Sequence, residues 1–267
     1  MRARAATRRT PARRLPRIGQ VLLALLGAAF GYLGYVYLTL PDVSSLQAVN
    51  PATTAFIELR AREAQAKGHP ARREQRWVGY SRISPALKRA VLVAEDAGFW
   101  RHEGIDVEEI RKSLERDLEQ GKFSRGGSTI TQQLAKNLYL TPSKNPLRKL
   151  KELLIARRLE AQVSKRRIFE IYLNVIEWGD GIYGAEAAAR EHFGKPASAL
   201  TAPEAALLAA AIINPRVHDP SRPTPRLLRR QRLILARMGA VTPPPETAAP
   251  APAPAAEGAP SPADPAR

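Results

Sequence analysis

The sequence has no cysteine, which excludes disulfide bridges, thiolate metal sites and a cysteine nucleophile. The G-x-S-x-G and K-T-G motifs of serine nucleophiles are absent as well. Histidine is scarce: the four residues are scattered without metal-ligand spacing, so no structural metal site is expected. Alternating strand patterns are nearly absent, which leaves room only for short strands.

Acidic residues are also few relative to basic ones. The chain has 25 aspartates and glutamates against 42 lysines and arginines, a formal net charge of +17. Such a balance indicates an anionic partner, which could be a nucleic acid, a lipid surface or a phosphorylated substrate.

An uncharged segment follows the arginine-rich start of the chain. Residues 1–17 carry seven arginines and no acid, and residues 18–41 carry no charge. A helix over 18–41 would be about 36 Å long, enough to cross a bilayer core. A cleaved signal peptide is the alternative, but its apolar region is normally shorter. We therefore predict a transmembrane anchor with a cytoplasmic N-terminus, which places the rest of the chain outside the cytoplasm and argues against nucleic acid.

Composition divides the rest of the chain into three segments. Residues 42–81 are weakly patterned and are predicted to be a linker and entry segment, whereas residues 241–267 are rich in proline and alanine and cannot build a packed core. Residues 82–240 show helical periodicity throughout, so an all-α domain is predicted there.

Helix boundaries in this domain are predicted from capping residues. The predicted starts are Ser84 with Pro85, Asp106 with Glu109, Ser128, Asn145 with Pro146, Ser164, and Thr201 with Glu204. Gly98 and Gly121 are predicted to end the first two helices. The predicted apolar stripes are Ile110, Leu114 and Leu118 on the second helix, Ile130, Leu134 and Leu138 on the third, and Leu147, Leu150 and Leu154 on the fourth.

Two adjacent carboxylates, Glu95 and Asp96, stand between an apolar helical stripe and the aromatic pair Phe99 and Trp100. They could be no more than a polar helix end. A carboxyl beside apolar rings, however, loses hydration, which raises its pKa toward a value useful for a general base.

A second candidate is the stretch RGGSTITQQLAKN at 125–137. Its two glycines precede a helix start, and such a terminus can bind an anion through free backbone N–H groups. An ordinary glycine turn with a serine cap is the alternative. Downstream, Arg148 and Glu152 are spaced as a helical ion pair. Because residues 125–167 hold eleven lysines and arginines against two glutamates, this region is predicted to meet phosphates or a phospholipid surface.

These motifs together resemble the peptidoglycan glycosyltransferase family, family 51 of the glycosyltransferases, and within it the monofunctional biosynthetic members. The resemblance covers residues 83–238 and rests on EDAGFWRHEG, GGSTITQQLAKN, RKLKE, KRRIFEIYLN and WGDGIYGAEAAAREHFGK, in that order. In bifunctional relatives a transpeptidase domain follows, whereas here a proline-alanine tail does. The resemblance implies a lysozyme-like, mostly helical fold with a membrane-embedded flank.

The resemblance also implies roles for individual residues. Glu95 matches the catalytic base that deprotonates the acceptor 4-hydroxyl. Glu152 matches a second glutamate that either assists at the donor phosphates or orients nearby groups. The residues expected to bind substrate are Asp96, Phe99, His102, Gly127, Ser128, Thr129, Gln132, Gln133, Lys136, Lys144, Arg148 and Lys149. Lys144 replaces an arginine of relatives, so it keeps the charge but loses the bidentate fork.

The expected activity is polymerisation of lipid II into glycan strands at the outer face of the cytoplasmic membrane. The implied partners are lipid II, the growing glycan, the membrane and other cell-wall synthesis or division proteins. A divalent cation, Mg²⁺ or Mn²⁺, is expected to bind with the substrate pyrophosphate. Two alternatives remain: a lytic enzyme on a similar fold, and a non-catalytic scaffold for wall synthesis.

Overall fold

A computed structural model describes residues 17–120, 127–141 and 146–241. Within these residues the fold is mostly helical, as predicted. The α-helices are α1 (Arg17–Leu38), α2 (Ala55–Ala66), α3 (Pro85–Glu95), α4 (Val107–Gln120), α5 (Ile130–Tyr139), α6 (Pro146–Gln162), α7 (Lys165–Val175), α8 (Ala185–Phe193), α9 (Ala202–Ala211) and α10 (Pro225–Arg237).

Helix α1 confirms the predicted N-terminal apolar helix. Its segment Gly19–Leu38 has 20 residues and a mean hydropathy of 1.9, so it is long and apolar enough to cross a membrane. Its C-terminal end is attached to the helical body, where Val36 and Leu40 are buried. Arg158 on α6 donates to the carbonyl oxygens of Leu40 and Pro41, at 3.1 and 3.2 Å. The chain that leaves the apolar helix is therefore held against α6.

The body consists of two groups of helices around one core. Helices α3, α9 and α10 pack together, and α5 packs between α6 and α7. The core is filled by fully buried side chains such as Leu87 of α3, Leu134 of α5, Phe169 of α7 and Leu208 of α9. This packing brings the end of α3 against the face of α5, where the candidate residues lie.

A small three-stranded sheet closes one side of the body. Its strands are β1 (Glu74–Gln75), β2 (Glu177–Gly179) and β3 (Ile182–Tyr183), in the order β1-β3-β2. Strand β3 is parallel to β1 and antiparallel to β2, with an irregular register in β2. Strand β1 and helix α2 both fall in the 42–81 segment, whose weak pattern predicted a linker and entry segment.

Most predicted helix starts are confirmed by the side chains that cap them. Ser84 and Ser164 accept backbone N–H groups at the starts of α3 and α7, and Asp106 accepts the N–H of Glu109 at 2.8 Å. Thr201 and Glu204 form a full capping box on α9.

Three local predictions are wrong. Helix α3 ends at Glu95 rather than near Gly98, because Asp96 leaves the helical conformation. The cap of α5 is Thr129, not Ser128, since the Thr129 hydroxyl accepts the N–H of Gln132. Ile110 is 42% exposed rather than buried.

The predicted apolar stripe of α4 lies partly outside the described residues, and that of α6 is confirmed only in part. The side chains of Leu114 and Leu118, and residues Gly121 and Asn145, fall outside the described part of the chain. On α6 the predicted stripe faces solvent at Leu147, which is 41% exposed.

Candidate active site

Glu95 is the last residue of α3, and its carboxyl points toward α5. The Glu95 Oε2 accepts a hydrogen bond from the Gln133 amide Nε2 at 2.9 Å. On the opposite side, Arg230 of α10 places a guanidinium nitrogen 3.9 Å from Oε1. The side chain is 14% exposed, so the carboxyl is mostly buried and reaches solvent only through a small opening, here called the cleft.

Burial raises the pKa of the Glu95 carboxyl above its ordinary value. The Gln133 hydrogen bond and the charges of Arg230 and Lys136 lower the pKa and offset part of this increase, while the charge of Asp96 raises it. A carboxyl whose proton affinity is increased in this way is better suited to accept a proton from a hydroxyl group.

Asp96 has a different environment, although it is the next residue. Its side chain is only 3% exposed. One oxygen accepts the backbone N–H of Ile130 at 2.9 Å, and both face the Nε2 of His102 at 3.0 and 3.1 Å. The His102 Nδ1 accepts the N–H of Gly104 at 3.2 Å, which leaves the proton on Nε2 to donate to Asp96. Asp96 and His102 therefore hold the turn after α3 against the start of α5.

The glycine-rich stretch is connected to the same turn. Thr129 donates to the carbonyl oxygen of Gly104 at 2.7 Å, and the Gln132 amide donates to the same oxygen at 3.1 Å. Gly127 has φ +98°, a left-handed conformation that favours glycine. Because the first-turn N–H groups of Ile130 and Gln132 already have protein acceptors, neither is open to an anion.

A cluster of cations surrounds the second glutamate. Glu152 on α6 is buried, and its two oxygens accept from Arg148 at 2.9 Å and from Lys149. Lys149 also donates to Ser128 at 3.2 Å and to the side-chain oxygen of Gln132 at 2.9 Å. Glu152 therefore fixes two cations side by side, next to the glycine-rich stretch.

Lys136 is influenced by both glutamates. Burial lowers the pKa of its ammonium, while the charge of Glu152 raises it, the charges of Arg148 and Lys149 lower it, and Glu95 raises it. Lys136 therefore interacts electrostatically with both the carboxyl at the end of α3 and the cation cluster on α6.

Phe99 was predicted to bind substrate, but its side chain lies in the core. It is fully buried and contacts Trp100 and Phe169, with ring centroids 4.7 and 5.5 Å away. Its ring packs in the core beneath the turn after α3 and stabilises that turn. A ring buried in the core cannot contact substrate in this conformation. Lys144 lies outside the described residues.

Two residues at the site were missed by sequence reasoning. Tyr172 of α7 donates to the Gln133 side-chain oxygen at 3.0 Å, and Arg230 of α10 faces Glu95. Tyr172 is 39 residues from Gln133 in the sequence, and Arg230 is 135 residues from Glu95. Tyr172 belongs to KRRIFEIYLN, whose place among the ordered motifs was the available signal.

One group of potential metal ligands occurs among the described residues: Asp96, His102 and Asp106. The hydrogen bonds above occupy Asp96 and place the His102 proton on Nε2, so this imidazole offers no free lone pair to a cation there. The group is better described as a hydrogen-bonded turn.

Comparison with known proteins gives one consistent result. The family model described as Transglycosylase matches residues 62–239. Proteins named biosynthetic peptidoglycan transglycosylase are similar over most of the chain. That of Laribacter hongkongensis is 52% identical over 192 residues, which cover 72% of this chain and 84% of that protein. That of Chromobacterium violaceum is 46% identical over 227 residues, covering 85% and 99%.

The match extends the predicted domain toward the N-terminus, since it begins within α2. It also confirms the predicted fold class, a mostly helical, lysozyme-like domain behind one N-terminal apolar helix. The chain therefore belongs to the transglycosylase family.

Proposed function

We propose that this protein is a peptidoglycan glycosyltransferase that polymerises lipid II into glycan strands for the cell wall. The observation that carries this proposal is the arrangement of one buried carboxyl of raised pKa, Glu95, beside a fixed group of cations around Glu152. A proton acceptor and a phosphate-binding group are what transfer from a lipid diphosphate requires.

Glu95 serves the acceptor. Its carboxylate takes the proton of the N-acetylglucosamine 4-hydroxyl while that oxygen bonds to the anomeric carbon of the donor. Gln133 and Arg230 hold the carboxylate from two sides. Asp96 and His102 support the turn that positions it, a role favoured over sugar binding by their mutual hydrogen bonds.

The cations serve the donor. As the bond between the anomeric carbon and the phosphate oxygen breaks, undecaprenyl diphosphate leaves with the electron pair, and Lys136, Arg148 and Lys149 neutralise the developing charge. Lys144 is proposed to add to this group. A diphosphate leaves without prior protonation, so a second carboxylic acid is not needed, in contrast to glycoside hydrolysis. Glu152 positions Arg148 and Lys149 rather than acting on the sugar.

A divalent cation, Mg²⁺ or Mn²⁺, is proposed to bind together with the pyrophosphate and to neutralise part of its charge. Both oxygens of Glu152 are already engaged by cationic side chains. The protein would therefore supply few ligands, and phosphate oxygens would supply most of them.

The apolar helix α1 is proposed to anchor the protein in the cytoplasmic membrane, with the arginine-rich N-terminus in the cytoplasm and the catalytic body outside. This placement keeps the cleft beside a substrate that stays in the bilayer. Contacts with other wall-synthesis or division proteins remain a prediction.

The test uses the purified full-length protein in detergent with labelled lipid II and a divalent cation, with products separated by size. High-molecular-weight glycan is expected. Release of soluble fragments from preformed glycan, without polymer, would instead support the lytic alternative. If the protein shows neither polymerisation nor cleavage, the result would support the scaffold alternative and contradict the proposal.

A further inference from the structure

A buried tyrosine lies behind the amide that contacts Glu95. Tyr172 is fully buried on α7, and its hydroxyl is 3.0 Å from the Gln133 Oε1. The other end of the same amide, Nε2, is 2.9 Å from the Glu95 Oε2. The three side chains thus form a chain of two hydrogen bonds that runs from the core of the domain to the cleft.

The groups at the two ends fix the direction of both bonds. A glutamine amide has one accepting end and one donating end, and its partners decide which end points where. The Glu95 carboxylate only accepts, so Nε2 faces it, and the phenol of Tyr172 donates to Oε1 and reinforces that orientation. Burial, followed by the charges of Glu95 and Asp96, raises the pKa of Tyr172 well above its ordinary value, so the hydroxyl stays protonated.

We propose that Tyr172 is a positioning residue: its buried hydroxyl donates to the Gln133 Oε1 and so helps to hold the amide with its N–H group toward the Glu95 carboxylate. This inference rests on the proposed function, since it concerns the base of that reaction. Tyr172 does not contact substrate itself, and it acts only through Gln133.

Loss of the hydroxyl has a defined electrostatic consequence. Without Tyr172 donating, the Gln133 amide can rotate and present Oε1 to Glu95, an arrangement that favours the protonated carboxyl. Arg230 and Lys136 still lower the Glu95 pKa and Asp96 still raises it, so only the Gln133 contribution changes. The Glu95 pKa should therefore rise, and the acidic limb of the activity profile should move to higher pH.

The experiment measures lipid II polymerisation by full-length Tyr172→Phe between pH 5 and 9. Because one neutral hydrogen bond is at stake, the acidic limb of kcat/KM is expected to shift upward by about 0.5–1 pH unit. The rate should recover at high pH, where the carboxylate is ionised in any case. KM measured at high pH should stay within about twofold of the wild-type value, since uniform substrate binding is not altered.

Tyr183→Phe is the matched control. Tyr183 is also a buried tyrosine, but it faces Glu177 and Arg60 rather than the cleft. Its variant should keep the wild-type pH profile. An unshifted profile in Tyr172→Phe, or a loss that is equal at every pH, would overturn the positioning role while leaving the proposed function intact.

A second variant covers the case in which Tyr172→Phe does not fold. Gln133→Leu, which removes the amide itself, should reproduce the shift. Where Tyr172→Phe does fold, the double variant should be no worse than Gln133→Leu alone, since the two residues act in series. Additive effects would contradict the series. If wild-type protein makes no polymer, both the proposed function and this inference are wrong. If Glu95→Gln is fully active, the role of Glu95 as base and this inference are wrong, while the polymerase function stands.

Discussion

Replacing Asp96 by asparagine tests whether this residue builds the turn or binds sugar. Its carboxylate accepts two donors, the N–H of Ile130 and the Nε2–H of His102. Asparagine is nearly isosteric but has a single accepting oxygen, so its NH₂ group must face one of these donors. His102 cannot readily change tautomer, because its Nδ1 already accepts the N–H of Gly104.

One charge-assisted hydrogen bond is therefore lost in a site that is almost fully buried. The expected cost is about 1.5–3 kcal/mol of unfolding free energy. For a domain of this size, each kcal/mol corresponds to about 2–4 °C in Tm, so Tm should fall by about 3–12 °C. The assay is thermal unfolding of the detergent-solubilised full-length protein, followed by far-ultraviolet circular dichroism.

The matched control is Glu103→Gln, seven positions further along the same turn region. Glu103 is 82% exposed and faces Arg157 at 3.6 Å, so the Tm of the Glu103→Gln variant should equal that of the wild type within error. If Asp96→Asn kept the wild-type Tm but bound lipid II more weakly, the reasoning would be refuted, and Asp96 would be a substrate ligand.

Two further predictions concern stability. Glu95→Gln should raise Tm at pH 7. Because the folded-state pKa of Glu95 is raised, this residue favours the folded state most below the ordinary pKa of 4.5, and that contribution is lost as pH rises and the buried carboxyl ionises. Glutamine stays neutral and does not carry this cost at pH 7. The gain should vanish below about pH 4, and an equal gain at every pH would contradict the assignment. Gly184→Ala should lower the free energy of unfolding by more than about 2 kcal/mol, since φ is +84° and a Cβ would lie 2.7 Å from the backbone carbonyl oxygen of Asn174. Gly194→Ala, with φ +66° and open space around the added Cβ, should lower the free energy of unfolding by less, as measured by chemical denaturation. Equal losses in the two variants would contradict the role of the contact with Asn174.

The sequence was sufficient for features that depend on neighbours within one helical turn. Ser84, Ser164 and the pair Thr201 and Glu204 cap helices through contacts three residues away, so their signatures are visible locally. Some motif residues also lie in contact, such as Glu95 with Gln133 and Lys149 with Gln132.

Features that depend on distant contacts could not be predicted in this way. Helix α3 stops at Glu95 because Asp96 bonds to Ile130, 34 residues later. Thr129 rather than Ser128 caps α5 because its hydroxyl is also fixed by Gly104. Phe99 is drawn into the core by Phe169, which no spacing within its own motif indicates.

Arg230 illustrates the same limit at the site. It lies in the arginine-rich helix α10, and the packing of α10 on α3 brings it to Glu95. Residues of this kind are found only when the helix packing is known, because nothing in their local sequence separates them from neighbouring arginines.

The most direct test of the account compares lipid II polymerisation by wild-type protein and by Glu95→Gln at pH 7.5, with binding of lipid II measured in parallel. General-base catalysis contributes about 10²- to 10⁴-fold, so the variant rate should fall by at least about 100-fold while binding stays unchanged. A variant that polymerised lipid II at the wild-type rate would contradict the assignment of Glu95 as the proton acceptor.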